Sequence, residues 1–145
     1  MIVENKAQPN QEQIKGFQEG DTDTPIYMLN LLKFKEQAIY EDGRETDATG
    51  AEAYRTYAGE VEAHVKKVGG KMIFGGQVSR LMLGEVEDLW DSVALVMYPS
   101  RKAMLAMIQD PDYQASAIHR KAGLCLLYTS PSPRDATLSR MPSSA

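Results

Sequence analysis

From Ile26 to Phe34 apolar residues fill both alternating sets of positions, Ile26, Met28, Leu32 and Phe34 on one side and Tyr27, Leu29 and Leu31 on the other. A strand patterned in this way has something covering each face. The period then changes. After a polar loop over 35–49 with Asp42-Gly43 as its turn, Tyr54, Tyr57, Val61, Val65 and Val68 recur at helical spacing, which predicts a helix over 50–68 closed by Gly69-Gly70. Ahead of the first strand, Asn10 caps a short predicted helix reaching Glu19, with Ile14 and Phe17 on one face, and residues 20–25 end it.

Residues 71–83 read as a long second strand with Gly75-Gly76 marking a bulge or a close backbone approach, 84–88 as a turn, and 89–98 as the third strand. Pro99-Ser100 leads into a helix whose predicted buried stripe is Ala103, Met104, Met107 and Ile108. Asp110 then caps a further helix, with Pro111 in its first turn, running to about Lys121. The order β-α-β-β-α, awaiting a last β, is the split βαβ pattern, which places the first and third strands side by side at the sheet centre.

The segments Pro25 to Phe34 and Val93 to Ser100, extended by Ala103 to Gln114 and by His119-Arg120-Lys121-Ala122-Gly123, resemble the DUF1330 family of the dimeric α/β-barrel superfamily. The resemblance covers 25–124. It implies an α+β, ferredoxin-like fold: a four-stranded antiparallel sheet with helices on one face, and two such sheets meeting in a homodimer. The first strand points the same way independently, since one layer of helices covers only one of its two apolar faces. A fold of this kind does not imply a reaction.

From Cys125 onward the chain reads as translated sequencing adapter: Cys125 to Asp135 resembles one adapter block and Ser139 to Ala145 a second. The expected organisation is an N-terminal extension with a short helix over 1–24, the domain over 25–124 with its native last strand lost, and a non-native tail over 125–145. Leu126, Leu127 and Tyr128 are apolar enough to imitate the missing strand, so Cys125 to Thr129 is expected in the sheet, Ser130 to Pro133 is expected to end it, and the rest is expected to be disordered.

Charge and cysteine use narrow the function classes. The tail carries Arg134, Arg140 and Asp135, and removing its net +1 from the chain's −4 leaves −5. An acidic domain argues against nucleic-acid binding, which needs a basic patch. The single cysteine is Cys125, so residues 1–124 offer neither disulfides nor a thiol nucleophile. No stretch has the length and apolarity of a membrane span or leader, and the expected location is cytoplasmic, with no membrane partner.

Asn30 is the first candidate site residue, because an amide inside an apolar strand is costly unless hydrogen-bonded. It either orients a ligand or clamps neighbouring structure, and the sequence leaves both open. A second group, Tyr98, Ser100, Tyr113, His119 and Arg120, converges if the last helices pack back over the third strand. Arg120 suits a two-point grip on a carboxylate. Each residue also has a plain structural use: Ser100 as a helix cap, the tyrosines as core, Arg120 in a surface ion pair. Trp90 reads as packing or a dimer contact. Glu60 and His64, four apart on one helix, have metal-ligand spacing but no third ligand in sequence, so no metal is expected. The resemblance implies no cofactor.

Two functions remain. One is a dimer that binds, or transforms without a cofactor, a small organic compound; the other is a non-catalytic dimerisation or regulatory module. A pocket with a few convergent polar groups favours the first, and a space filled by side chains the second. The first reading expects Asn30, Tyr98 and Arg120 to line one cavity, walled by Tyr27, Met28 and Leu32.

Overall fold

The computed structural model describes Glu4 and residues 6–133, with the backbone alone described over 126–133. Its elements run α1 (Gln11–Gln18), β1 (Ile26–Phe34), α2 (Gly50–Lys67), β2 (Lys71–Gln77), β3 (Ser92–Tyr98), α3 (Arg101–Gln109), α4 (Pro111–Gly123) and β4 (Leu124–Pro133). The four strands form one antiparallel sheet in the order β2-β3-β1-β4, the ferredoxin-like arrangement.

Alternation along β1 sends Ile26, Met28 and Leu32 to the helix side, where they are buried. Opposite them on β3 stand Tyr98, Val96 and Ser92, in the pairs Ile26 with Tyr98, Met28 with Val96 and Leu32 with Ser92. Tyr57, Val61 and Val65 of α2, Met107 of α3 and Tyr113 of α4 close over this face and make the main core with Ile26, Met28, Val96 and Tyr98. Tyr27, Leu29 and Leu31 project from the opposite face, paired with Met97, Leu95 and Val93, and Phe74 beside Leu95 is 57% exposed. Among the described residues no helix covers that face.

The helices begin where their caps dictate. Asn10 and Gln13 form a reciprocal capping box at α1, Thr49 and Glu52 another at α2, and Asp110 caps α4 ahead of Pro111. At the end of α2, Gly69 takes a φ of 83° and Gly70 donates its N–H to Val65 O at 2.8 Å, the left-handed closure that glycine permits.

Four expectations are corrected. The second strand stops at Gln77, and 78–91 is a loop on which Met82 and Leu83 are 95% and 84% exposed. β2 is an edge strand paired only to β3, so past the Gln77–Ser92 pair no ladder sustains it. The register shift lies between Met72 and Phe74, not at the glycines; Gly76 is in register with Val93 and its carbonyl accepts from Ser92 Oγ at 2.8 Å. The third strand begins at Ser92, because the residues before it serve β1: Asp91 N–H donates to Leu32 O, and Lys33 Nζ donates to Leu89 O and to Asp88. Ile108 is 37% exposed and leaves the α3 stripe.

β4 differs as well. It stays paired with β1 through Ser130, Pro131, Ser132 and Pro133, opposite Leu29 to Ile26, where Ser130 was expected to end it. β4 is an edge strand, and its two prolines are two residues apart, so both missing N–H groups fall on the same side of the strand. The disorder expected of the remaining tail concerns 134–145, outside the described residues.

Candidate functional site

The space between the helix-facing side of the sheet and the helices is not filled. A cavity of about 1510 Å³ lies there, lined by Met28, Asn30 and Leu32 of β1, Val96 and Tyr98 of β3, Tyr54 and Tyr57 of α2, Met104 and Met107 of α3, and Tyr113 and Arg120 of α4. Helical spacing explains the convergence: Tyr54 and Tyr57 are one turn apart on α2, and Tyr113 and Arg120 two turns apart on α4, so each pair shares a face. Residues of the N-terminal segment, among them Ala7, Ile14 and Phe17, complete the wall.

The crossing of α2 and α4 sets where Arg120 stands. A Cβ on Gly123 would strike Gly50 O, and a Cβ on Gly50 would strike Lys35 O and Gly123 O, so the start of α2 and the end of α4 meet backbone to backbone. Lys35 N–H donates to Gly123 O at 2.8 Å and Ile39 N–H to Ala122 O at 3.0 Å, binding the 35–49 loop to the same point.

Tyr40, Tyr54, Tyr57, Tyr98 and Tyr113 bring phenols to the cavity, whose lining also includes Arg101, Glu41, Asp42 and Lys121. The Tyr57 and Tyr113 hydroxyls are 3.1 Å apart. Burial pushes the Tyr54 phenol up to about 12 and raises Tyr57 and Tyr98 too, while the positive charge of Arg120 opposes the shift at all three. At neutral pH these groups are therefore neutral hydrogen-bond donors facing a guanidinium. Among the described residues no carboxylate forms an ion pair with Arg120; its Nη1 donates to Ala7 O at 3.4 Å. Such a set can hold a carboxylate, polarise a carbonyl, or stabilise an enolate.

Asn30 clamps the two central strands from a place on the cavity wall. It lines the cavity, and its Nδ2 donates to Met28 O at 3.1 Å and to Ala94 O at 3.4 Å, spanning β1 and β3. Tyr98, Tyr113 and Arg120 share that cavity with it. Ser100 and His119 do not: Ser100 Oγ accepts from Ala103 N–H at 3.0 Å as the cap of α3, and His119 Nδ1 is 2.7 Å from Tyr40 Oη. Tyr27, expected as a wall, lies on the open face of the sheet, because odd-numbered residues of β1 point away from the helices.

Tyr40, Tyr54 and Tyr57 belong to the site and were missed as such. Tyr54 and Tyr57 have the periodicity of core residues and fill that role as well; their signal is the surplus of hydroxyls on one helix face. Tyr40 sits in a polar loop and gains its place from His119, which meets it edge to face at 5.5 Å, and from Arg44, stacked 4.7 Å over its ring. The Glu60 and His64 pair does not build a metal centre: His64 Nε2 is 3.1 Å from Ser116 Oγ, and among the described residues no three His, Cys, Asp or Glu side chains gather to hold an ion. No helix among the described residues is long and apolar enough to cross a membrane.

The family model of a domain of unknown function, DUF1330, matches residues 44–125. The chain belongs to the DUF1330 family. The methylated RPA0582 protein has a solved structure 34% identical to this chain, with a TM-score of 0.81, covering 90% of this chain and 96% of its own. A structure from Rhodopseudomonas palustris, of unknown function, is 31% identical over 91% of this DUF1330 chain and 98% of its own, also with a TM-score of 0.81. A dimeric ferredoxin-like protein of unknown function from Bacteroides fragilis is 10% identical, with a TM-score of 0.52 over 78% of this chain and 99% of its own, a likeness of fold alone. No curated protein matches the sequence.

Proposed function

We propose that this DUF1330 protein binds a small organic molecule between its sheet and its helices, with the anionic or carbonyl end at Arg120 and the tyrosine hydroxyls and the apolar body against Met28, Leu32 and Val96. One observation carries this reading: five tyrosines, Asn30 and Arg120, which has no acidic partner among the described residues, line a single cavity of about 1510 Å³. A module built only to dimerise has no use for that space, and filling it with side chains would add stability. Any chemistry the site performs would rest on phenol and guanidinium groups, with no cofactor.

The working form in this proposal is a homodimer joined through the open face of the sheet. Tyr27, Leu29, Leu31, Leu95 and Phe74 present an apolar surface there, and the Bacteroides fragilis protein of the same fold is described as dimeric. The proposed location is cytoplasmic, in keeping with a first 124 residues free of cysteine.

The test is a calorimetric and thermal-shift screen of the full chain against a mixed library of anionic, neutral and cationic organic molecules. At least one compound should bind, and Arg120→Ala and Asn30→Ala should each weaken it about tenfold or more while the variants stay folded. A library without a single binder would leave the cavity without this purpose. Binders unaffected by both substitutions would return these residues to a structural role.

A further inference from the structure

The N-terminal segment is joined to the rest of the molecule unlike any other element. Helix α1 is well capped but has no buried residue, and Ile14 on its cavity side remains 42% exposed. Phe17 packs against the main core, and two arginines hold the backbone of the segment. Arg101 Nη1 donates to Phe17 O at 3.3 Å and to Glu19 O at 3.1 Å, and its guanidinium lies 5.4 Å over the Phe17 ring. Arg120 Nη1 reaches Ala7 O at the other end with a long bond of 3.4 Å.

Arg101 is not placed to serve α3. A cation at the first helical position opposes the helix dipole. Its Nε is moreover buried without a hydrogen-bond partner, and opening of the segment would return that donor to water. The closed arrangement thus contains both its fastener and a term favouring release. At the far end, Arg120 is the group assigned above to the ligand's anionic end. A carboxylate offers it two short charge-assisted bonds, against one long bond to a neutral carbonyl.

We propose that residues 6–19 form a gate over the cavity, hinged by Arg101 and latched by Arg120, and that an anionic ligand opens the latch by displacing Ala7 from Arg120. The ligand part of this statement rests on the binding function proposed above; the gate itself does not. Ile14 and Phe17 form the roof a ligand passes, so residues remote from its polar end set the rate at which it enters.

Hydrogen exchange read by mass spectrometry on the full chain tests the gate without any ligand. The α1 amides, Ile14 and Glu19 among them, should exchange at least 100-fold faster than the buried face of α2, and Arg101→Gln should speed α1 a further tenfold or more with β1 and α2 unchanged. Arg101→Lys, which keeps the charge and loses the fork, should behave like the glutamine variant. Stopped-flow fluorescence with 8-anilinonaphthalene-1-sulfonate should show association and dissociation both at least threefold faster in Arg101→Gln, with affinity within twofold of the parent. Exchange of α1 as slow as that of α2, or dye kinetics unmoved by Arg101→Gln, would overturn the gate. A failed library screen combined with fast, Arg101-dependent exchange of α1 would overturn the binding function and the anion-released latch, leaving the hinge alone standing.

Discussion

The hydroxyls of Tyr57 and Tyr113 lie 3.1 Å apart, one carried by α2 and the other by α4, two of the helices that close over the sheet. Because their rings also meet edge to face at 6.3 Å, the pair is at once core packing and part of the cavity's polar wall. Replacing Tyr57 by phenylalanine leaves the Tyr113 hydroxyl without that partner in a buried place. A loss of about 1–3 kcal/mol is expected from urea denaturation.

Alkaline pH should reveal the same cluster. Burial raises Tyr54 to about 12 and Tyr57 above its ordinary value, whereas in the unfolded chain these phenols ionise near the ordinary value of 10.0. The folded state then holds protons that the unfolded state has lost, so stability is fully present below pH 10 and falls as pH rises toward 12. Absorbance at 295 nm should show fewer than all seven tyrosines ionised at pH 11. A single transition near pH 10 that includes every tyrosine, with no accompanying loss of stability, is the contrary result.

Two glycines on helices should respond oppositely to alanine. At Gly123 the added carbon meets the backbone of Gly50 and Tyr54, which cannot step aside, and a loss of about 1–3 kcal/mol or more is expected. At Gly59, inside α2, nothing lies within 4 Å of the new atom, and a gain of up to about 1 kcal/mol follows from helix propensity. Thermal denaturation of both variants side by side checks the pair.

Ser100→Ala should cost about 1 kcal/mol, the usual value of a lost cap, and leave ligand affinity as in the parent. A loss of affinity without a loss of stability would instead put Ser100 in the site.

A charge on the open face should break the proposed dimer. Leu95→Lys lies between Leu29 and Phe74 in the register, away from the helix side, so the expected product is a folded monomer by sedimentation. A dimer that survives the substitution would place the interface elsewhere.

The strands and helices that carry strong periodicity were readable from sequence. β1 runs from Ile26 to Phe34 as its two-sided apolar pattern implies, and α2 begins where Thr49 and Glu52 build a box. The errors fall where pattern and pairing part company. Leu81, Met82 and Leu83 look like strand but have no neighbour to bond, and the Gly75-Gly76 dipeptide looks like a bulge although the shift lies nearer Ile73. Ser100 illustrates a residue with two plausible roles, of which the local one is observed. Tyr40 and Arg101 were out of reach, because each acquires its position through a partner 79 or 84 residues distant in the chain.

The tyrosines at 54, 57, 98 and 113 and Arg120 all fall within residues 44–125, the stretch matched by the family model, whereas Ala7, Ile14 and Phe17 precede it. In the proposed reading the phenol and guanidinium grip lies within that stretch, Met28, Asn30 and Leu32 lie ahead of it, and admission belongs to the residues that lead the chain. A lineage can keep the hydroxyl and guanidinium groups and change only a dozen leading residues, altering how fast or how bulky a visitor enters without rebuilding the groups that grip it. Divergence among relatives would then appear first in their opening helices, as new tempos and tolerances on an old floor.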